Sequence, residues 1–150
     1  MEKKTVQKTT VICYSLTSSL KSLMTDIGNL PNEMMEKATE LKLEIAGPQI
    51  WVYDGADGYP DTKFELTIAI PVVKSGGDPE KFRFAEFPEF KCVSVIHKGP
   101  YAKLGETYMK LMPAIMSEGL SYTGTSREIY KVCDFENQDN CITEIQIEVK

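Results

Sequence analysis

The feature that most constrains this chain is an internal correspondence. Shifting residues 47–72 by 77 positions lays them on 124–149 without a gap, and six of the 26 aligned positions are identical. Ile68, Ile70 and Val72 fall on Ile145, Ile147 and Val149, a match any two apolar strands would give. Gly47 on Gly124, Tyr53 on Tyr130 and Asp57 on Asp134 are harder to attribute to strand composition. A repeated unit buries its apolar face most readily against its copy, so the two halves are expected to pack as one body.

Hydrophobic period supplies the elements of each half. Ile12, Tyr14 and Leu16 alternate as a short strand, and Thr17, Ser18 and Ser19 offer helix caps. Leu20, Leu23, Met24 and Ile27 recur at helical spacing, and the stripe resumes after Gly28 and Pro31 through Met34, Met35, Ala38 and Leu41. Gly47 and Pro48 stop it. Strands at 49–53 and 63–73 follow around a turn-rich loop, 54–61. After the break at Gly76, Gly77, Asp78 and Pro79, the residues Phe82, Phe84, Phe87 and Phe90 lie in an irregular stretch. This stretch is expected to strap an exposed sheet edge or to act as a lid. A strand at 91–97 then turns through Lys98, Gly99 and Pro100 into a helix with Tyr101, Leu104, Tyr108, Leu111, Met112 and Ile115 on one face. Pro113 should disturb this helix and Gly119 should end it. Strands at 125–133 and 142–149 close the chain around the polar loop 134–140.

Strand, helix, strand, strand thus occurs twice. The expected fold is α+β, a duplicated βαββ unit with a pseudo-twofold axis. Its antiparallel sheet carries two main helices on one face and a ligand cleft between the halves. The expected organisation is a single domain over 1–150, with a first repeat at about 10–73, a linker at about 74–89 and a second repeat at about 90–150, preceded by a polar tail.

Charge and composition remove several classes of function. The 22 acidic and 17 basic side chains give a net charge of −5, and no basic block exists. Direct nucleic-acid binding and attachment to an anionic membrane surface are therefore not expected. The longest apolar run, 66–73, is far shorter than the roughly 20 residues that span a bilayer. With no signal-type apolar core near the start, a cytoplasmic location is expected. Cys13, Cys92, Cys133 and Cys141 form no C-x-x-C pair, and a single His completes no zinc ligand set, so reduced thiols are expected. Cys133 and Cys141 flank a hairpin turn and would bridge only in an oxidising compartment. No Ser, His, Asp order, phosphate loop or paired metal-type carboxylates appear, and no cofactor or metal is expected.

Several motifs carry a family likeness. His97-Lys98-Gly99-Pro100-Tyr101 before a helix, Gly124, the strand Arg127-Glu128-Ile129-Tyr130 and the terminal Thr143-Glu144-Ile145 resemble the GyrI-like effector-binding family. Members serve as ligand domains of many AraC-type and MerR-type multidrug-responsive transcription regulators and also stand alone. The likeness is concentrated in 90–150; the first half agrees in element order and in Ile70-Pro71-Val72. It implies a duplicated βαββ fold that binds amphipathic, often cationic aromatic compounds, with one buried glutamate as counter-charge. By its place in the E-x-Y strand that residue is Glu128. The family also includes proteins that act on DNA gyrase and proteins that hydrolyse cyclopropane-bearing natural products, so membership alone does not settle activity. Unlike the regulators, this chain shows no helix-turn-helix segment.

The residues themselves support two readings of the same place. Alternation puts Glu128 on one strand face with Tyr130 and Val132, opposite Arg127, Ile129 and Lys131. Such a carboxylate is either a cleft charge or an edge glutamate paired with Lys or Arg. The repeat sets Trp51 across the approximate twofold from Glu128, and Tyr53 across from Tyr130. One carboxylate among these aromatic faces suits a flat or quaternary cation. Alternatively, Trp51 and Tyr53 fill the core between sheet and helix. Tyr101, at the helix start beside the cleft, either touches ligand or belongs with Tyr108 in the core. His97 is expected to close its turn by hydrogen bonds, and Glu144, with Gln146 and Glu148, to sit on a solvated outward face. The leading functional expectation is a free-standing binder of small amphipathic or cationic compounds, with Glu128, Trp51, Tyr53, Tyr130 and Tyr101 as ligand-binding residues. The alternatives are a hydrolase of reactive small molecules using Glu128 as general base, and an interaction module for a separate regulator or a gyrase-like protein.

Overall fold

Alternating residues form eight strands and the helical stripes form three helices in the computed structural model, which describes residues 1–150. In chain order these are β1 (Glu2–Val6), β2 (Thr9–Ser18), α1 (Leu23–Ile27), α2 (Leu30–Glu40), β3 (Ile50–Asp54), β4 (Phe64–Pro71), β5 (Arg83–Phe87), β6 (Phe90–Lys98), α3 (Leu104–Ser117), β7 (Tyr122–Val132) and β8 (Ile142–Val149). All strand pairs are antiparallel, in one open sheet of order β1-β6-β8-β7-β3-β4-β2-β5. No helix is long and apolar enough to cross a membrane.

Each helix follows from its sequence. Pro31 lies in the first turn of α2, where no backbone donor is required, and Met34 and Ala38, four residues apart, turn one buried face to the sheet. Between α1 and α2 the chain bends at Gly28, whose φ of 52° suits a residue without Cβ. Contrary to expectation, Pro113 does not stop α3, which continues to Ser117. The donor it lacks would have served the carbonyl of Met109, a residue on the solvent face of the helix.

Strand parity decides what packs where. Ile12, Leu66, Ile68 and Ile70 point to the face that receives Ile27 and Met34. Val93, Ile145, Ile147 and Val149 point the same way and receive Leu111 and Ile115 of α3. The expected architecture is therefore present: a duplicated βαββ unit with its main helices on one face. Between the two cores lies the β3–β7 seam, where the halves meet.

Two segments that show no clear pattern in the sequence form the sheet's edges. The N-terminal tail contains β1, paired with β6, and the aromatic linker contains β5, paired with β2. Val6 pairs with Phe90 and Thr9 with Phe87, so one antiparallel ribbon runs through both junctions in unbroken register. Only Gln7 and Lys8 join β1 to β2, and only Pro88 and Glu89 join β5 to β6. Such links reach roughly 10 Å, yet they connect strands from opposite ends of the sheet order. The sheet must therefore curl, and its helix-free back face is the concave one. Val11, Cys13 and Ala69, with Ala85 and Phe87 against them, keep that face thin.

The twofold extends to the ribbon. The shift that lays Glu2 on Arg83 carries β1 onto β5 and β2 onto β6, and turns the pair Val6–Phe90 into Phe87–Thr9. At the seam, Trp51 pairs directly with Glu128, so the axis passes between the two residues that the repeat equates.

Glu144 corrects an expectation. It lies on the outward parity, but that face is covered, and the residue is only 4% exposed. Lys4 of β1 reaches it at 2.6 Å and Lys131 at 3.1 Å, while Ser94 Oγ and Gln146 Nε2 each donate at 2.8 Å. Burial alone would raise its pKa; hydrogen bonds from Gln146, Lys4, Ser94 and Lys131 outweigh burial and hold it at about 2. A depressed folded pKa contributes stability above the ordinary value of 4.5 that is lost as pH falls toward 2. Glu144→Gln should cost about 2 kcal/mol at neutral pH, with the gap from the parent closing as pH falls through that window in urea titrations.

Candidate functional site

The site is built where the halves meet. Glu128 stands on the helix side of β7, 7% exposed, and no ion pair of the structure includes it. The edge reading, with a Lys or Arg partner, is therefore not what the fold builds. Three tyrosine hydroxyls donate to the carboxylate instead: Tyr130 to Oε1 at 2.7 Å, Tyr108 to Oε2 at 2.7 Å and Tyr53 to Oε1 at 3.4 Å. The hydroxyls of Tyr53 and Tyr130 also lie 3.4 Å apart. These donors come from β3, α3 and β7, hence from both halves of the chain.

Aromatic rings surround this polar cluster. Trp51 meets the Tyr130 ring edge-on, with centroids 5.1 Å apart, and its Nε1 donates to Gln49 Oε1 at 2.5 Å. Tyr101 also meets the Tyr130 ring edge-on, with centroids 5.9 Å apart, and lies tilted against Phe135 at 5.9 Å. Of the residues singled out in the sequence, Glu128, Tyr53 and Tyr130 are joined by hydrogen bonds, and Trp51 and Tyr101 pack on the Tyr130 ring without a hydrogen bond to the carboxylate. Trp51 and Tyr53 also pack against the core of the first half, as the core-filling reading of these residues expects.

Tyr108 is the residue the sequence reading missed. It shares the buried stripe of α3, as expected of a core residue, but its hydroxyl supplies one of the two short bonds to Glu128. A buried tyrosine needs a partner for its hydroxyl, and the glutamate on the facing strand was the available acceptor. His97 behaves as expected. Its Nε2 faces the Pro100 carbonyl at 3.1 Å and its Nδ1 the Thr107 hydroxyl at 2.7 Å. A carbonyl only accepts, so Nε2 carries the proton, and the ring pins the turn into α3 without bonding to Glu128.

The electrostatics follow from burial. Desolvation raises the Glu128 pKa, and hydrogen bonds from Tyr130, Tyr108 and Tyr53 offset it only in part. Burial and the adjacent carboxylate push all three tyrosines well above their ordinary value, so they remain neutral donors. Burial also raises Tyr101, whose hydroxyl lies beside the Cys133 and Cys141 thiols. All four cysteines are free, and no cluster of His, Cys, Asp and Glu has the makings of a metal site. What the arrangement offers is one nearly dry carboxylate, solvated by neutral donors and faced by aromatic surface.

A fold and site of this kind define a small-molecule-binding domain of duplicated βαββ type. The family model described as the GyrI-like small molecule binding domain matches residues 1–150, and the chain belongs to that family. Among solved structures, the EcmrR C-terminal domain superposes with a TM-score of 0.82 at 23% identity, covering 99% of this chain and 96% of that one. In EcmrR bound to DNA, the match covers 56% of that chain. SAV2435 bound to tetraphenylphosphonium matches with a TM-score of 0.68 at 16% identity over 100% of this chain and 94% of that one. A hydrolase from Listeria innocua matches with a TM-score of 0.65 at 13% identity over 99% and 91%. No curated protein matches the chain's sequence at a significant level.

Because the folded state raises the Glu128 pKa, it favours the protonated acid. That contribution to stability is present below the ordinary 4.5 and is lost as pH rises through the folded value. Glu128→Gln should therefore match the parent at low pH and exceed it at alkaline pH, opposite in sign to Glu144→Gln. Tyr108→Phe, which strips a donor from the ionised carboxylate, should cost about 1–3 kcal/mol at alkaline pH and less in acid. Denaturant unfolding from about pH 4 to about pH 9 checks both.

Proposed function

We propose that this chain captures amphipathic, cationic aromatic compounds in the cleft between its halves. Glu128 supplies the counter-charge, Trp51, Tyr53 and Tyr130 the stacking surface, and Tyr101 the rim. One observation carries the reading: a buried carboxylate that has three neutral donors and no ion-pair partner. Left alone, this group tends toward the neutral acid; a cation brought against it restores the favourable ionised form. Aromatic faces add quadrupole attraction for a desolvated cation while presenting little hydrogen-bonding selectivity. The family description supports small-molecule binding, and a structural neighbour bound to tetraphenylphosphonium, an aromatic cation, supports the ligand class. Entry requires a ring to move, since Glu128 is only 7% exposed; half-buried Trp51 and Tyr101 flank the path.

A second reading, hydrolysis of reactive small molecules with Glu128 as general base, is favoured by the raised pKa of the carboxylate and by the hydrolase of this fold. Against it, three hydroxyls already occupy the carboxylate, leaving little room for a reacting water. Turnover of a strained electrophile by the parent, abolished in Glu128→Gln, would establish the second reading.

Tetraphenylphosphonium should stabilise the parent in a thermal-shift titration. In Glu128→Gln its affinity should fall at least about tenfold, the loss of one charge-assisted partner. Affinity should rise with pH through the raised Glu128 pKa, with protons released on binding below it, and this pH dependence should vanish in the variant. Equal affinity in both proteins at every pH would sink the counter-charge assignment.

A further inference from the structure

Behind Glu128, on the concave face, lies a second charged residue with unmet needs. Arg127 is 4% exposed, and no ion pair includes it. Its Nε is sealed from solvent with no acceptor. The guanidinium carbon lies 3.8 Å from the Phe90 ring centre and 5.1 Å from that of Phe87, so its faces rest on the rings that flank the β5–β6 junction. Ring contacts of this kind satisfy a cation's face and leave its in-plane N–H fork free.

That fork borders a cavity. A space of about 220 Å³ is lined by Val52, Thr67, Phe87, Phe90, Thr125 and Arg127, and also by Pro88 and Glu148. Neither nearby acid serves as the counter-ion. Burial drives the Cys92 thiol up to about 11, so it is neutral. Glu148 accepts from the Thr123 hydroxyl at 2.5 Å and forms no ion pair with Arg127. A buried arginine lacking a carboxylate is costly unless something else supplies one.

We propose that this cavity binds a small organic carboxylate, its two oxygens paired with the Arg127 fork and its body held between Val52 and the Phe87 and Phe90 rings. The chemistry selects the class. The planar fork matches a carboxylate in bidentate fashion, and the threonine hydroxyls offer further donors. Phenyl walls favour a flat apolar body over a hydrated inorganic ion. The single positive charge and the carboxylate of Glu148 disfavour a dianion such as phosphate. The cavity is separate from the cleft proposed above: neighbouring residues 127 and 128 face opposite sides of the sheet.

Titration with benzoate, followed by calorimetry and by amide NMR shifts, tests the assignment. The parent should bind at about millimolar affinity or better, with shifts at Val52, Thr67 and Thr125. Binding should weaken at least about tenfold in Arg127→Met, strengthen in Glu148→Gln and remain unchanged in Glu128→Gln. Val52→Phe, which fills the cavity from the cross-strand position beside Arg127 while keeping the guanidinium, should abolish binding and decides the matter if Arg127→Met does not fold. The proposal is overturned if benzoate leaves the parent unchanged, if it binds Arg127→Met or Val52→Phe equally well, or if chloride or phosphate displaces it at equal concentration.

Discussion

A carboxylate held almost dry by three neutral hydroxyls is the interaction on which this architecture turns. Removing an ionised carboxylate from water costs several kcal/mol, more than most single contacts return. Hydrogen bonds to a charged acceptor recover about 1.5–3 kcal/mol each, so two short bonds and one long one bring the group near break-even. That balance holds only if Tyr53, Tyr108 and Tyr130 converge from β3, α3 and β7 at once. The geometry of the seam and the packing of α3 are therefore tied to the same atom pair. A shift of either half would strand the charge.

The pseudo-twofold explains why only one such charge exists. Trp51 and Glu128 occupy equivalent positions and are direct cross-strand partners, so their Cα atoms stand about 5 Å apart. A glutamate at both positions would set two carboxylates face to face in a dry seam, and one would have to stay protonated. An aromatic at both would leave no charge. The twin positions one step along, Tyr53 and Tyr130, face no such conflict, and both halves carry the same residue there, with hydroxyls 3.4 Å apart. Symmetry supplies paired aromatic donors, and its break at 51/128 supplies the charge between them.

This division was largely legible in the sequence because it rests on local period and on the repeat offset. Parity placed Glu128 with Tyr130, and the offset placed Trp51 opposite. What escaped were features set by distant chain. β1 reads Glu-Lys-Lys-Thr-Val and has no alternation, since an edge strand with a mostly solvated face does not need one. β5 hid among irregular phenylalanines because Phe87 and Phe90 sit at the crossover and serve the back face, where they meet Arg127. Without β1 and β5 in view, the outward face of β8 looked solvated, and the burial of Glu144 could not be read. Tyr108 escaped for another reason: helical spacing reports which face is buried but is silent on what a terminal hydroxyl meets across the gap.

Glu128 and Glu144 show how far surroundings govern one residue type. Both are nearly sealed, and burial acts on both in the same direction. Glu144 is answered by Lys4 and Lys131, two cations of the chain itself, and its pKa falls to about 2. Glu128 is answered only by groups that donate without carrying charge, and its pKa rises. The first arrangement is complete and locks an edge strand to the sheet, so an external cation has nothing to add there. Under the proposed function, the second would improve when a cation arrives, and the rings around it would be the surfaces on which an aromatic cation rests. A buried acid whose partners are all neutral is therefore a better marker of a cation-binding cleft than the acid alone. By that measure, the residue beside three tyrosines is the one to test, although Glu144 is the more heavily bonded of the two.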